Sequence, residues 1–313
     1  MPQEKDVFHE RLGSTIRQIR KNKGISQKQT CSDKFTQPTL TNIEAGKTHT
    51  SYENCVHIAS QINVSLDELN YITNNYHETP INQILYLMRG FNDGFDEKRF
   101  KKIQRLTSHY YKQTGNKAFK QLHILSEAWR VYNISHDPFA PKALLEEIWL
   151  DLQKMDKWYY FELRLLTSVF TILPYKTALK IGERAIKDLN AYDELYETAE
   201  IQIKFILNIA LLANINNEPD VALSWCDRVL NFSINNEQSK FLHGVYYHLF
   251  LSHIQKGNQQ TGLCYLNRAI ILALLYGKEN IIEAWRDQSK MILDFSLNDF
   301  KNIVSACRNM LAP

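Results

Sequence analysis

The chain has 313 residues, 44% of them hydrophobic and 12% aromatic, with 37 Lys and Arg against 34 Asp and Glu for a formal charge of +3. Its five scattered cysteines (Cys31, Cys55, Cys226, Cys264, Cys307) form no Cys-x-x-Cys pair, which argues against a disulfide framework or a structural zinc site and fits a reducing cytosol. The N-terminus lacks an apolar signal core and no run approaches 18 apolar residues, so a soluble, cytoplasmic protein with no membrane partner is expected.

The first predicted elements lie in residues 12–46. Leu12, Ile16 and Ile19 recur at helical spacing, with Arg17, Arg20, Lys21 and Lys23 on the remaining faces. Gly24 closes that helix. Ser26 opens a second, with Gln29 three residues on to complete a capping box. A turn over Asp33 to Thr36 leads to a third helix, Gln37 to Glu44, stopped by Gly46. Leu40 and Ile43 face inward on it, while Gln37, Thr39, Thr41 and Asn42 stay outside. Pro38 sits in its first turn, where a missing N–H costs little. Ser51 caps a fourth helix, Tyr52 to Ile62, and Ser65 a fifth, Leu66 to Ile72.

Helix, tight turn, short polar helix and glycine stop make the layout of a helix-turn-helix, whose second motif helix lies in the major groove. Gln and Asn can pair with adenine through two hydrogen bonds, and Thr offers a hydroxyl and a methyl for thymine. Residues 11–50 also hold eight bases (Arg11, Arg17, Arg20, Lys21, Lys23, Lys28, Lys34, Lys47) against two acids, Asp33 and Glu44. That surplus favours a phosphate backbone as partner. Double-stranded DNA is therefore expected, with Arg17, Arg20, Lys28 and Lys47 on phosphates and Gln37, Thr39, Thr41 and Asn42 at the bases.

The run Thr36-Gln37-Pro38-Thr39-Leu40-Thr41-Asn42-Ile43-Glu44-Ala45-Gly46 resembles the Xre or phage-repressor signature, with Pro38 the unusual member. Residues 1–75 are read as this DNA-binding domain and 76–313 as a second, larger one.

From about residue 77 amphipathic helical stretches follow one another, broken at Thr79-Pro80, Gly115-Asn116, Asp137-Pro138, Pro174, Asn216 to Pro219, Asn235-Asn236 and Gly257-Asn258. Short breaks of this kind imply antiparallel hairpins. The hairpins repeat. Ala-Leu-Lys-Ile-Gly-Glu-Arg-Ala-Ile at 178–186, Ala-Leu-Ser-Trp-Cys-Asp-Arg-Val-Leu at 222–230 and Gly-Leu-Cys-Tyr-Leu-Asn-Arg-Ala-Ile at 262–270 share a small residue followed by Leu, and an Arg before two apolar residues. A period of about 40 residues with two helices per unit predicts an α-solenoid of tetratricopeptide-like hairpins, in an all-α chain.

A helix-turn-helix ahead of such repeats is similar to the peptide-sensing regulators of Gram-positive bacteria, and within them to the Rgg/GadR/MutR branch. The likeness rests on Leu12-Gly13 to Arg20 with Asn42 to Gly46, on Asn63-Val64-Ser65-Leu66-Asp67-Glu68-Leu69, and on Trp158-Tyr159-Tyr160-Phe161-Glu162-Leu163. The last resembles that branch's Trp-Gly-x-Tyr-Glu-Leu, with Tyr159 for glycine and Phe161 for tyrosine. The resemblance implies a homodimer, transcriptional control and a short peptide pheromone as effector.

Counting 14 residues towards the N-terminus from Ala178, Ala222 and Gly262 lands on Arg164, Asn208 and His248, polar residues inside apolar runs. With Lys204 and Phe205 they are the candidate peptide-contacting set on a concave face; satisfying a neighbouring helix is the competing role. In the helix 196–214, Ala199, Ile203, Ile206, Ala210 and Ala213 form the core stripe.

No Gly-rich phosphate loop, His-Glu-x-x-His, Gly-x-Ser-x-Gly or paired catalytic carboxylates occur, so no enzyme and no cofactor are expected. His243, His248 and His253 are spaced by five and do not share a helical face as metal ligands would. The alternatives are an Xre-type regulator answering to a protein partner through its repeats, or a repeat-based interaction scaffold.

Overall fold

Ser26 Oγ accepts the backbone N–H of Gln29 while Gln29 Oε1 accepts that of Ser26, so the capping box expected from sequence is formed. It opens the second of seventeen α-helices among the described residues of the computed structural model, which are 3–89, 96–196, 198–235 and 241–311. No strand occurs among them. The chain divides into two compact units, Met1–Tyr86 and Leu87–Pro313. The first extends past the boundary at 75 expected from sequence and takes in most of one further helix.

That first unit holds α1 (Gln3–Asn22), α2 (Gln27–Cys31), α3 (Gln37–Glu44), α4 (Tyr52–Gln61), α5 (Leu66–Thr73) and most of α6 (Pro80–Leu87). Helix α3 has the bounds expected from sequence. Its N-cap is Thr36, whose hydroxyl accepts the Thr39 N–H. Ser51 and Ser65 cap α4 and α5 in the same way. Each such cap satisfies an otherwise orphaned N–H, worth typically ~1 kcal/mol. Ile16, Cys31, Leu40, Ile43, Ile58, Ala59, Ile62 and Leu69 form the core. Cys31 is thus a small buried hydrophobe.

Two glycines set how α1 lies on α3. A Cβ on Gly13 would stand 2.1 Å from the Ile43 carbonyl oxygen, so only glycine permits this approach. Gly46 takes φ +68°, and a Cβ there would also meet the Glu10 backbone at 2.7 Å.

The second unit begins with the antiparallel pair α7 (Glu97–Thr114) and α8 (Lys117–Ser135), followed by α9 (Lys142–Leu152). Four hairpins follow: α10 (Tyr160–Val169) with α11 (Tyr175–Asn190), α12 (Ala199–Ile215) with α13 (Pro219–Asn235), α14 (Leu242–Gln255) with α15 (Gln259–Leu275), and α16 (Glu279–Leu293) with α17 (Leu297–Leu311). The first helices of successive hairpins pack on one another, α10 on α12, α12 on α14 and α14 on α16. This is the solenoid expected from sequence. The break expected at Asn235-Asn236 passes outside the described residues at Asn236.

The three repeated segments fall in α11, α13 and α15, the second helix of each hairpin. Their shared small residues sit where helices meet: Ala178, Ala222, Ala185 and Ala269 are at most 1% exposed, and a Cβ on Gly262 would meet Ile254 Cδ1 at 2.7 Å. First helices are also linked by polar side chains. Asn208 Nδ2 donates to the Thr167 carbonyl at 2.7 Å, Gln255 Nε2 to that of Asn214 at 2.7 Å, and the Tyr247 hydroxyl to that of Trp285 at 3.1 Å. Tyr247 and Trp285 also stack at 4.7 Å.

Candidate functional site

Helix α3 presents an unspent amide surface. Gln37 and Asn42 are exposed, and neither side chain hydrogen-bonds within the protein among the described residues. The threonines differ. Thr39 is half-buried with its hydroxyl 3.0 Å from that of Thr36, and exposed Thr41 donates its hydroxyl to the Gln37 carbonyl at 3.0 Å. Both hydroxyls are therefore engaged locally, which leaves their methyls available. Arg17, Lys28 and Lys47 are exposed and none has an ion pair among the described residues.

Arg20 is a correction. Its place in the basic run predicts a phosphate contact, but it is 8% exposed and all three of its guanidinium nitrogens donate inside the unit. Nε meets Glu44 Oε1 at 2.6 Å, Nη2 meets Oε2 at 3.0 Å, and Nη1 donates to the Ile25 carbonyl at 2.9 Å. The hydrogen bonds that Arg20 donates to Glu44 raise its pKa despite burial. Gln27 Nε2 adds a third donor to Glu44, at 3.0 Å, and lies 3.3 Å from Thr41 Oγ1. Nothing in the sequence pattern singles out Gln27; as the first residue of α2, it fixes that helix to the carboxylate at the end of α3.

In the second unit two of five expected groove residues are also corrected. Phe205 is 0% exposed, its ring edge-on to Phe170 at 5.4 Å, because α12 is buried on nearly every face between its neighbours. His248 is 7% exposed, its Nδ1 has no hydrogen-bond partner among the described residues, and burial lowers its pKa to about 4. Neither side chain lines an open groove. Four members of the α12 core stripe are buried as expected, and the fifth, Ala199, is half-buried.

Arg164, Lys204 and Asn208 are all half-buried and share the seam between α10 and α12. Lys204 pairs with Glu200 at 2.7 Å, and Asn208 is tied to Thr167. Arg164 lies 6.0 Å from the centroid of the Tyr160 ring, which stacks on Tyr196 at 4.0 Å. It has no carboxylate within ion-pair distance among the described residues, and burial lowers its pKa. The aromatic pair joins residues 36 apart and carries no local signal in the sequence. The other histidines of α14 pack apart: His243 against Trp285 at 5.8 Å, and His253 stacked on Tyr265 at 5.3 Å.

No helix among the described residues is long and apolar enough to cross a membrane. A capped recognition helix with free amides, flanked by unpaired cations and followed by helical repeats, defines a DNA-binding transcription regulator. Residues 16–69 match the helix-turn-helix family, and residues 104–284, more than half of the chain, match the C-terminal domain of the HTH-type transcriptional regulator Rgg. The chain belongs to the Rgg family.

Solved structures that share the fold include the following three. A protein from Listeria monocytogenes EGD-e is 17% identical with a TM-score of 0.68, covering 91% of this chain and 98% of its own. PlcR of Bacillus thuringiensis, solved with the peptide PapR7 and DNA, is 16% identical with a TM-score of 0.63, covering 88% and 99%. The SHP pheromone receptor Rgg2 of Streptococcus dysgalactiae is 17% identical with a TM-score of 0.62, covering 89% and 98%.

Proposed function

We propose that this regulator is controlled by a short peptide that docks on the seam of α10 and α12, and that it works in the cytoplasm as a homodimer. The observation that carries the reading is Arg164. A guanidinium taken largely out of water is costly when the one carboxylate that acts on it, Glu200, is paired with Lys204 and stands beyond ion-pair distance, and an incoming carboxylate would offset that cost with two parallel hydrogen bonds. Lys204 and the remaining oxygen of Asn208 then serve the peptide backbone, and Tyr160 with Tyr196 offers an apolar wall. The peptide-bound PlcR and the pheromone receptor Rgg2 among the structural neighbours support the same reading.

On DNA, Gln37 and Asn42 read base edges, Thr39 and Thr41 present methyls to thymine, and Arg17, Lys28 and Lys47 hold phosphates. One short recognition helix makes too few contacts for specific affinity, and paired half-sites on a dimer are the usual remedy. A gel shift with DNA flanking the gene, run with and without synthetic peptides from adjoining small reading frames, tests the reading. A peptide-dependent change in the complex supports it. Unaltered complexes with every such peptide, together with a response to a protein from the same cells, would assign control to a protein partner.

A further inference from the structure

Positive charge is concentrated in two places, not one. Helix α7 carries six bases (Lys98, Arg99, Lys101, Lys102, Arg105, Lys112) against one acid, Glu97. Its surplus of five joins the surplus of six in residues 11–50, against +3 for the chain, so the remaining residues are net acidic. Within α7, Lys98, Lys102, Arg105, His109 and Lys112 follow at steps of four, three, four and three, which is one helical face, and all five are exposed. At a 1.5 Å rise per residue the stripe runs about 21 Å.

The stripe is not a packing feature. Ile103 and Thr107, on another face, are the buried residues of α7 and pack towards α8. Nor is it neutralised from within: Lys101 pairs with Glu97 at 3.0 Å, but Lys98, Lys102, Arg105 and Lys112 have no acidic partner among the described residues. Like charges four apart destabilise an isolated helix, so the pattern works against α7 unless an anion lies along it. Arg105, His109 and Lys112 also line, with Gln104, Ser108 and His123, a cleft of about 490 Å³ between α7 and α8 that offers hydroxyl and amide groups beside the cations.

We propose that α7 is a second DNA-contacting surface, its stripe lying along the backbone phosphates of a duplex. A line of cations on a straight helix matches a partner whose charges are themselves in line, about one per 3.4 Å along each strand. The contact adds affinity and no base preference.

The test uses the full chain. Lys98→Gln, Lys102→Gln, Arg105→Gln and Lys112→Gln are combined, and a second variant keeps the charge with Lys98→Arg, Lys102→Arg and Lys112→Arg. Binding to a duplex from the region flanking the gene is followed by fluorescence anisotropy across about 50–200 mM salt. The neutralised variant is expected to bind about tenfold or more weakly, and its slope of log affinity against log salt to shrink by about two or more. The ranking of duplex variants stays as in the parent, and the arginine variant matches the parent. An unchanged slope and affinity overturns the proposal, as does an equal loss in the arginine variant. A loss that follows dissociation of the dimer in sedimentation also overturns it, assigning the stripe to an acidic surface of a second copy. No peptide enters the assay, so its outcome is independent of the peptide reading.

Discussion

Arg20 and Glu44, 24 residues apart in sequence, meet in a two-pronged ion pair at the end of the recognition helix, with Nε–Oε1 at 2.6 Å and Nη2–Oε2 at 3.0 Å. The glutamate of the Ile-Glu-x-Gly signature is therefore structural, locking α3 to α1 and, through Gln27, to α2. Removing one partner of a buried pair leaves the other charged and unpaired, at a cost of about 3–5 kcal/mol. Glu44→Ala and Arg20→Ala should each lower the stability of the first unit by that order, while Arg20→Met with Glu44→Leu should cost less than either. Hydrogen exchange of α1 and α3 amides in the full chain measures this. Parent-like protection in Glu44→Ala would contradict the assignment.

The exposed amides lead to a different outcome. Asn42→Ala should weaken the preferred site by about 1–3 kcal/mol and relax preference at one base pair. Arg17→Ala should weaken all DNA alike and lower the salt slope by about one. A competition assay over operator variants separates them, and an unchanged ranking in Asn42→Ala would remove its role as a base reader.

These two groups also mark what is legible in the sequence. Caps, turn glycines and the apolar stripe give α3 its bounds, and a repeat of about 40 residues gives the hairpins, because both signals are local or periodic. The pairing of Arg20 with Glu44 is long-range, and a count of local charge places both at the surface. A signal is present all the same: each lies four residues after a core residue, Ile16 and Leu40, and so shares its buried face. Phe205 and His248 are misplaced by sequence for a related reason. A single-stripe reading suits a helix with one covered side, whereas α12 and α14 are covered by α10, α13, α15 and α16 as well as by each other.

His248 should make the second unit acid-sensitive. Burial holds its folded pKa at about 4, below the ordinary value near 6.5, so the unfolded chain binds the extra proton first. Stability contributed by the neutral ring is then fully present above pH ~6.5 and is lost as pH falls towards ~4, by about 2 kcal/mol between pH 7 and 5. Urea denaturation of the parent and of His248→Leu at the two pH values checks this. Equal pH dependence in both would place the titration elsewhere.

Dimerisation is expected to come from the repeats. Residues 87–313, the second compact unit, should sediment as a dimer, and residues 1–86 as a monomer that binds DNA weakly. A monomeric 87–313 fragment would contradict this.

Control of the regulator, as proposed, turns on a peptide held at the α10–α12 seam through Arg164. A ligand shifts the regulator only as far as its affinities for two arrangements differ, so binding and response must fall together. Fluorescence polarisation with labelled synthetic peptides from the adjoining small reading frames, on the full-length parent and on Arg164→Ala, is the most direct measurement. Saturable binding to the parent is predicted, with at least about tenfold weaker binding to Arg164→Ala as a charge-assisted pair is lost, and unchanged DNA affinity without peptide. Equal peptide affinity in parent and variant would contradict it.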